Sequence, residues 1–283
     1  MSAVSTDASE SLSPTDAADY GQQDLIRRAE QVLSRDARVL GVWLMGSHGR
    51  GTSDQFSDVD LLIVVEEDDI AGFCDDWPNL SDSIAPTVFR RQLGDRPVFN
   101  HITPDWLRFD VLVAPPEALS GRTRSTVSPV YDPQGLSSRL AEPSPPKPPD
   151  PERIASVTVE FLRVLGLLPV VIGREEFVVG QSGIDLLRAM LIDLMLEDVE
   201  VEDRGGSLHL NRLLSPERQR ILTDLPPVQA SHESVIAGHV ACASAFLPLS
   251  RSLHNACGLD WPQVLEDAAR RHLRSTLSIE IPS

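Results

Sequence analysis

Apolar positions form short runs in the first half of the chain and helical stripes in the second. Leu25, Ile26, Ala29, Val32 and Leu33 recur at helical spacing, predicting an amphipathic helix over Gln22 to Arg35. Val39 to Met45 and Val59 to Val65 have the length and apolar character of buried strands, and the second is rich in branched residues. A helix is expected around Ser83 to Leu93, after the acidic stretch EEDDIAGFCDD, whose opening reads as a solvated strand exit. Pro97 to Ile102 and Trp106 to Val113 then read as strands joined by a turn at Thr103–Pro104. The order helix, strand, turn, strand, helix, strand, strand predicts a small mixed sheet with helices packed on it.

The stretch EPSPPKPPDP breaks this pattern, with six prolines between Pro143 and Pro151. Proline at that density enters neither a helix nor a central strand, so an extended connector is expected. Beyond it the period is helical. Ile154, Val157, Phe161, Val164, Leu165 and Leu168 share one face, as do Ile184, Leu187, Leu191, Leu194 and Met195. A third stripe through Val235, Ile236, Val240, Ala243 and Leu247 is expected to end or kink near Pro248. Asp260, two residues before Pro262, reads as the cap of a last helix, and Ser215 as the cap of a short one beginning at Pro216. The predicted class is α+β: a tail over residues 1–21, a mixed-sheet domain over 22–142, a linker over 143–151 and a helical bundle over 152–283.

Composition narrows the functional classes. A formal charge of −17 repels a phosphate backbone, and no basic stripe offsets it, so an extended nucleic-acid partner is not expected. Lys147 is the single lysine, which leaves phosphate handling to arginine, backbone amides or metal ions. Cys74, Cys242 and Cys257 lack metal-ligand or disulfide spacing. The first twenty residues have no apolar core of a leader, and the longest apolar stretch, from Phe161, is short and contains Arg163. A cytoplasmic protein without a membrane partner is expected.

The chemistry gathers in GSHGRGTSDQFSDVDLLIVV, from Gly46. Side chains alternate along a strand, so Asp58 and Asp60 emerge on one side with Val59 opposite. Two neighbouring carboxylates beside a buried run repel one another unless a cation lies between them, and magnesium suits a few carboxylates plus phosphate oxygens. Gly46 lets backbone amides approach a phosphate, and Ser47 adds a hydroxyl donor. Asp110 interrupts the apolar run of LRFDVLV and is the candidate third carboxylate. Arg50 reads either as a triphosphate contact or as a solvated loop arginine.

Gly-Ser, then Asp-x-Asp entering an apolar strand, then LRFDVLV resembles the nucleotidyltransferase superfamily that includes DNA polymerase beta. The pattern is similar to the members that modify aminoglycoside and lincosamide antibiotics, and covers roughly Leu44 to Val113. The resemblance implies that Gly46 and Ser47 bind the triphosphate of an NTP, ATP above all. It also implies that Asp58, Asp60 and Asp110 ligate Mg²⁺, with two ions expected, or that Asp110 serves as general base. A nucleoside monophosphate would then pass to a hydroxyl of a small molecule. Relatives use acids of the helical domain to hold the acceptor, which makes Glu160, Asp185 and Asp193 candidates; outward-facing helix positions are the competing reading. Alternatives are a protein- or RNA-modifying minimal nucleotidyltransferase of toxin–antitoxin type and a catalytically silent nucleotide-binding regulator. The oligomeric state stays open.

Overall fold

A computed structural model describes residues 19–202, 204 and 210–281. The chain divides into two compact units, Met1–Ser144 and Pro145–Ser283. Of the expected N-terminal tail, residues 1–18 lie outside the described residues, and from Asp19 onward the chain is already helical.

The first unit contains α1 (Asp19–Leu33), β1 (Val39–Leu44), the single-turn α2 (Gly46–Gly49) and β2 (Val59–Val65). It continues with α3 (Ile70–Ile84), β3 (Phe89–Gln92), β4 (Val98–Ile102), β5 (Arg108–Ala114) and β6 (Ser128–Tyr131). The strands form one mixed sheet in the order β3-β4-β5-β2-β1-β6, with β2 and β5 parallel and every other pair antiparallel. One face carries Val59, Leu61, Ile63, Phe109, Val111 and Val113, packed under Leu25, Ala29 and Leu33 of α1 and Phe73 and Trp77 of α3. The other face is apolar only at one end, where Trp43, Leu62 and Val64 meet Leu119, Val127, Leu136 and Leu140. Its opposite end begins at Asp60, where polar side chains collect.

The helix expected over Ser83 to Leu93 is displaced. The acidic residues Glu67–Asp69 form a short turn leading into α3, which ends at Ile84, and Phe89–Gln92 is a strand. Phe73, Trp77 and Ile84 recur on one buried face of α3, and that stripe outweighs Pro78 inside the helix. β3 and β6 were not anticipated. Each is four residues at a sheet edge with little burial to imprint an alternating pattern.

The second unit is helical: α4 (Pro151–Leu165), α5 (Leu168–Gly173), α6 (Phe177–Glu197), α7 (Leu210–Leu213), α8 (Pro216–Thr223), α9 (His232–Cys257) and α10 (Gln263–Leu277). Its core includes Phe161 stacked on Phe246, with ring centroids 3.7 Å apart, and a buried hydrogen bond of 2.7 Å between the hydroxyls of Thr158 and Ser250. Asp150 and Ser215 cap α4 and α8, the latter as expected. α9 does not end near Pro248 but continues to Cys257 with that proline inside it, and Pro262, not the expected Asp260, stands at the start of α10. Pro151–Gly173 and His232–Cys257 are long and apolar enough to cross a membrane by length and composition, yet Phe161 and Phe246 within them are buried in the helical core.

Candidate active site

The parallel register of β2 and β5 sets Asp60 directly beside Asp110. Neighbours in register point to the same side of a sheet, so two carboxylates fifty positions apart in the chain share one face. The candidate third carboxylate, Asp110, is thus placed on the same face as Asp60. One step earlier, Asp58 lies beside Arg108, with Nη1 3.6 Å from its carboxylate. Arg108 also donates from Nη2 to the Phe56 carbonyl at 3.1 Å, tying the end of β5 to the loop before β2.

This crowding shows in the electrostatics. Burial first, then the charges of Asp58 and Asp110, push the Asp60 carboxyl up to about 6, against the pull of Arg50 and Arg108. Asp110 is also raised, by burial above all and partly by Asp58, while a hydrogen bond from the Asn100 side chain and the charges of Arg108 and Arg91 act to lower it. Arg50 thus acts electrostatically on the carboxylate site.

Among the described residues, no three His, Cys, Asp or Glu side chains form a ready-made metal cage. Asp58 lies near Arg108, and Asp60 and Asp110 are the pair matched in register. The donor set still fits a hard divalent ion. Magnesium is ordinarily held by one or two carboxylates together with phosphate oxygens and water, and a carboxylate raised by its acidic neighbours is one that a cation would relieve.

The turn after β1 supplies the other half. The Met45 amide donates to the Asp60 carbonyl at 2.8 Å, joining α2 to β2. Gly46 has φ of +57°, and a Cβ there would fall 2.0 Å from Asp60 Oδ2. Only glycine allows this approach. Gly49 is pressed as closely, with a Cβ 2.4 Å from the Thr126 carbonyl oxygen. Ser47 is 4% exposed, and its buried hydroxyl makes no hydrogen bond among the described residues. A buried hydroxyl without a partner costs free energy and is suited to meet a ligand oxygen.

Sequence reasoning missed three supporting residues. Asn100 on β4 is in register with Asp110, and Arg91 on β3 is in register with Asn100. Arg91 donates from Nη2 to Asn100 Oδ1 at 3.3 Å. Gln22 of α1, 3% exposed, donates from Nε2 to the carbonyls of Asp54 (3.1 Å) and Ser57 (2.7 Å), fixing the loop that delivers Asp58.

The candidate acids of the helical unit lie on other surroundings. Glu160 pairs with Arg163 at 2.6 Å, Asp193 pairs with Arg153 at 3.1 Å, and Asp185 is exposed. The deeply buried acids are instead Glu197, held by Arg153 and Arg204, and Glu266, held by Arg251, Arg270 and the Trp261 indole. These pairings stitch helices together.

Comparison with known proteins finds a family model over part of the first unit. The model of the nucleotidyltransferase domain matches residues 26–90, which include Gly46, Ser47, Asp58 and Asp60 and stop short of Asp110. No curated protein matches the chain. An aminoglycoside 6-adenyltransferase from Bacillus subtilis is a similar solved structure, with 15% identity over 90% of this chain and 97% of that one and a TM-score of 0.41. A nucleotidyltransferase-like protein from Exiguobacterium sibiricum aligns at 14% identity over 91% and 88% of the two chains, TM-score 0.32. The CCA-adding enzyme of Thermotoga maritima, complexed with tRNA, aligns at 10% identity over 94% and 72%, TM-score 0.35. Likenesses this distant carry no argument about an acceptor.

Proposed function

We propose that this chain, whose residues 26–90 match the nucleotidyltransferase-domain model, moves a nucleoside monophosphate, AMP in the first instance, from an NTP to a hydroxyl of a small molecule. The observation that carries this reading is the register of Asp60 with Asp110 against a turn whose Gly46, at φ +57°, lies where a Cβ would displace the Asp60 carboxylate. Gly46 and Ser47 receive the triphosphate, the unpartnered Ser47 hydroxyl donating to a phosphate oxygen, and Arg50 adds positive charge. Asp58 and Asp60 are the residues that would hold Mg²⁺, with Asp110 beside them as the general base; a bound divalent ion would neutralise charge on the phosphoryl oxygens and the leaving group.

The hydroxyl oxygen attacks the α-phosphorus and forms the new P–O bond. The bond from the α-phosphorus to the bridging oxygen breaks, and pyrophosphate leaves with that electron pair. The hydroxyl proton passes to the Asp110 carboxylate. The sheet's contribution is mainly positional, because reactants held in line need far less reorganisation. The acceptors to try first are aminoglycoside and lincosamide antibiotics, on the strength of the sequence resemblance, and the cytoplasm is the proposed setting because NTPs and magnesium abound there. Incubation with Mg²⁺, each labelled NTP and a panel of hydroxyl compounds tests the proposal. Labelled acceptor with stoichiometric pyrophosphate supports it; NTP binding without transfer to any compound, unchanged in an Asp58→Ala, Asp60→Ala double variant, overturns it.

A further inference from the structure

The chemical groups of the site follow one another across the sheet in strand order. Gly46 and Ser47 leave β1, Asp60 lies on β2, Asp110 on β5, Asn100 on β4 and Arg91 on β3. In-line displacement places the leaving and attacking oxygens on opposite sides of the phosphorus. With the triphosphate at Ser47, the leaving pyrophosphate lies on the β1 side. The acceptor hydroxyl must then come from the side of β5, β4 and β3.

On that side, we propose that Asn100 is a positioning residue for Asp110, its amide bridging Arg91 and Asp110 across three neighbouring strands so that one carboxylate oxygen is tied and the other faces the acceptor. This rests on the nucleotidyl-transfer reading for its purpose, and on the register alone for its geometry. Arg91 and Asn100 are cross-strand neighbours, as are Asn100 and Asp110. The chemistry of the three groups fixes the direction of the bridge. A guanidinium only donates, so it meets the amide oxygen, as Arg91 Nη2 does at 3.3 Å. An ionised carboxylate only accepts, so the amide nitrogen is the end turned to Asp110, the cross-strand neighbour of Asn100. Arg91 thus determines which end of Asn100 faces the carboxylate. It makes no ion pair among the described residues, its polar contact being Asn100 and its apolar one the Phe89 ring, 5.9 Å from the guanidinium carbon. Asp110 is thereby steadied by an amide and a remote cation, whereas Asp58 is engaged directly by Arg108. Such partners of reacting carboxylates cost about 10- to 100-fold in activity when removed.

Two measurements on the full-length protein test the bridge. The first needs no turnover. The chain has four asparagines, Asn79, Asn100, Asn211 and Asn255, so a sample labelled selectively with ¹⁵N-asparagine has few side-chain amide signals, and Asn100→Ala assigns one by its disappearance. The Asn100 signal is expected to move in Asp110→Ala and in Arg91→Ala while the other three stay; a signal unmoved by Asp110→Ala overturns the bridge. The second is a double-mutant cycle on NTP turnover. Asn100→Ala is expected to lower kcat about tenfold with KM for ATP within about twofold, and to cause no further loss in an Asp110→Ala background. Equal losses in both backgrounds, or a rise in KM alone, would show that Asn100 does not act through Asp110. If the wild-type protein transfers no nucleotide, the proposed function falls, and the amide signal still decides whether the bridge exists.

Discussion

Asp60 stands at the start of the buried part of β2, and its carboxyl is pushed up to about 6. An unfolded-chain aspartate titrates near ~3.9, so below about pH 4 both states are protonated and nothing is lost. As pH rises, the unfolded chain ionises first. Stability is therefore lost between about pH 4 and 6, by about 3 kcal/mol at most. Asp60→Asn is predicted to be more stable than wild type at pH 7.5 in chelator and equal to it near pH 4, read from urea midpoints, while losing transfer activity. A variant less stable at pH 7.5 would contradict this account of the burial and charge load. Gly46 makes the complementary point. A Cβ placed 2.0 Å from Asp60 Oδ2, on a backbone with φ of +57°, forces that carboxylate aside. Gly46→Ala is predicted to lower kcat by about 100-fold. The strained backbone should cost about 1–2 kcal/mol in unfolding experiments.

At the scale of the elements, β4 does two jobs on its two faces. Asn100 looks to the site, while His101 is buried opposite, accepting from Trp77 Nε1 at 3.1 Å and donating from Nδ1 to the Phe109 carbonyl at 3.3 Å. Burial pushes the His101 pKa down to about 4, with Arg90 acting in the same direction and the Phe109 hydrogen bond and Asp82 opposing. Here the sign is reversed: the unfolded histidine takes its proton near ~6.5, so stability falls as pH drops from about 6.5 to 4. The contributions of His101 and Asp60 run oppositely through the same window. Asp60→Asn is accordingly predicted to unmask a steeper acid destabilisation between pH 6 and 4, and adding His101→Phe to flatten it; unfolding midpoints against pH for the single and double variants check both. The same elements show what a sequence can carry. β1 and β2 were legible because burial on both sides makes nearly continuous apolar runs, and Asp110 because a carboxylate in such a run is conspicuous. α3 was displaced because Pro78 hides a helical stripe, and β3 was missed because FRRQ offers only Phe89 as an apolar residue. Asn100 and Gln22 escaped because their roles depend on strand and loop neighbours that only the fold brings together.

For the whole molecule, charge and architecture point the same way. Each unit has its own apolar core, and the carboxylates of the site belong entirely to the first. A chain of net charge −17 gains nothing from counterion release on a polyanion. Labelled tRNA and duplex DNA are therefore predicted not to be retained in a filter-binding assay at ~0.15 M salt, where salt screening still leaves like charges repelling at contact distances. Retention would move the acceptor from a small molecule to a nucleic acid. The central claim is that Asp60 and Asp110, adjacent in register, form one nucleotidyl-transfer site with the Gly46–Ser47 turn. It is tested most directly by pyrophosphate release from ATP in the presence of Mg²⁺, with and without the acceptor panel, for wild type, Asp60→Asn and Asp110→Asn. The account predicts acceptor-dependent release by wild type and a fall of at least about 100-fold in each variant, with Asp110→Asn still binding ATP. Undiminished release by both variants would contradict it.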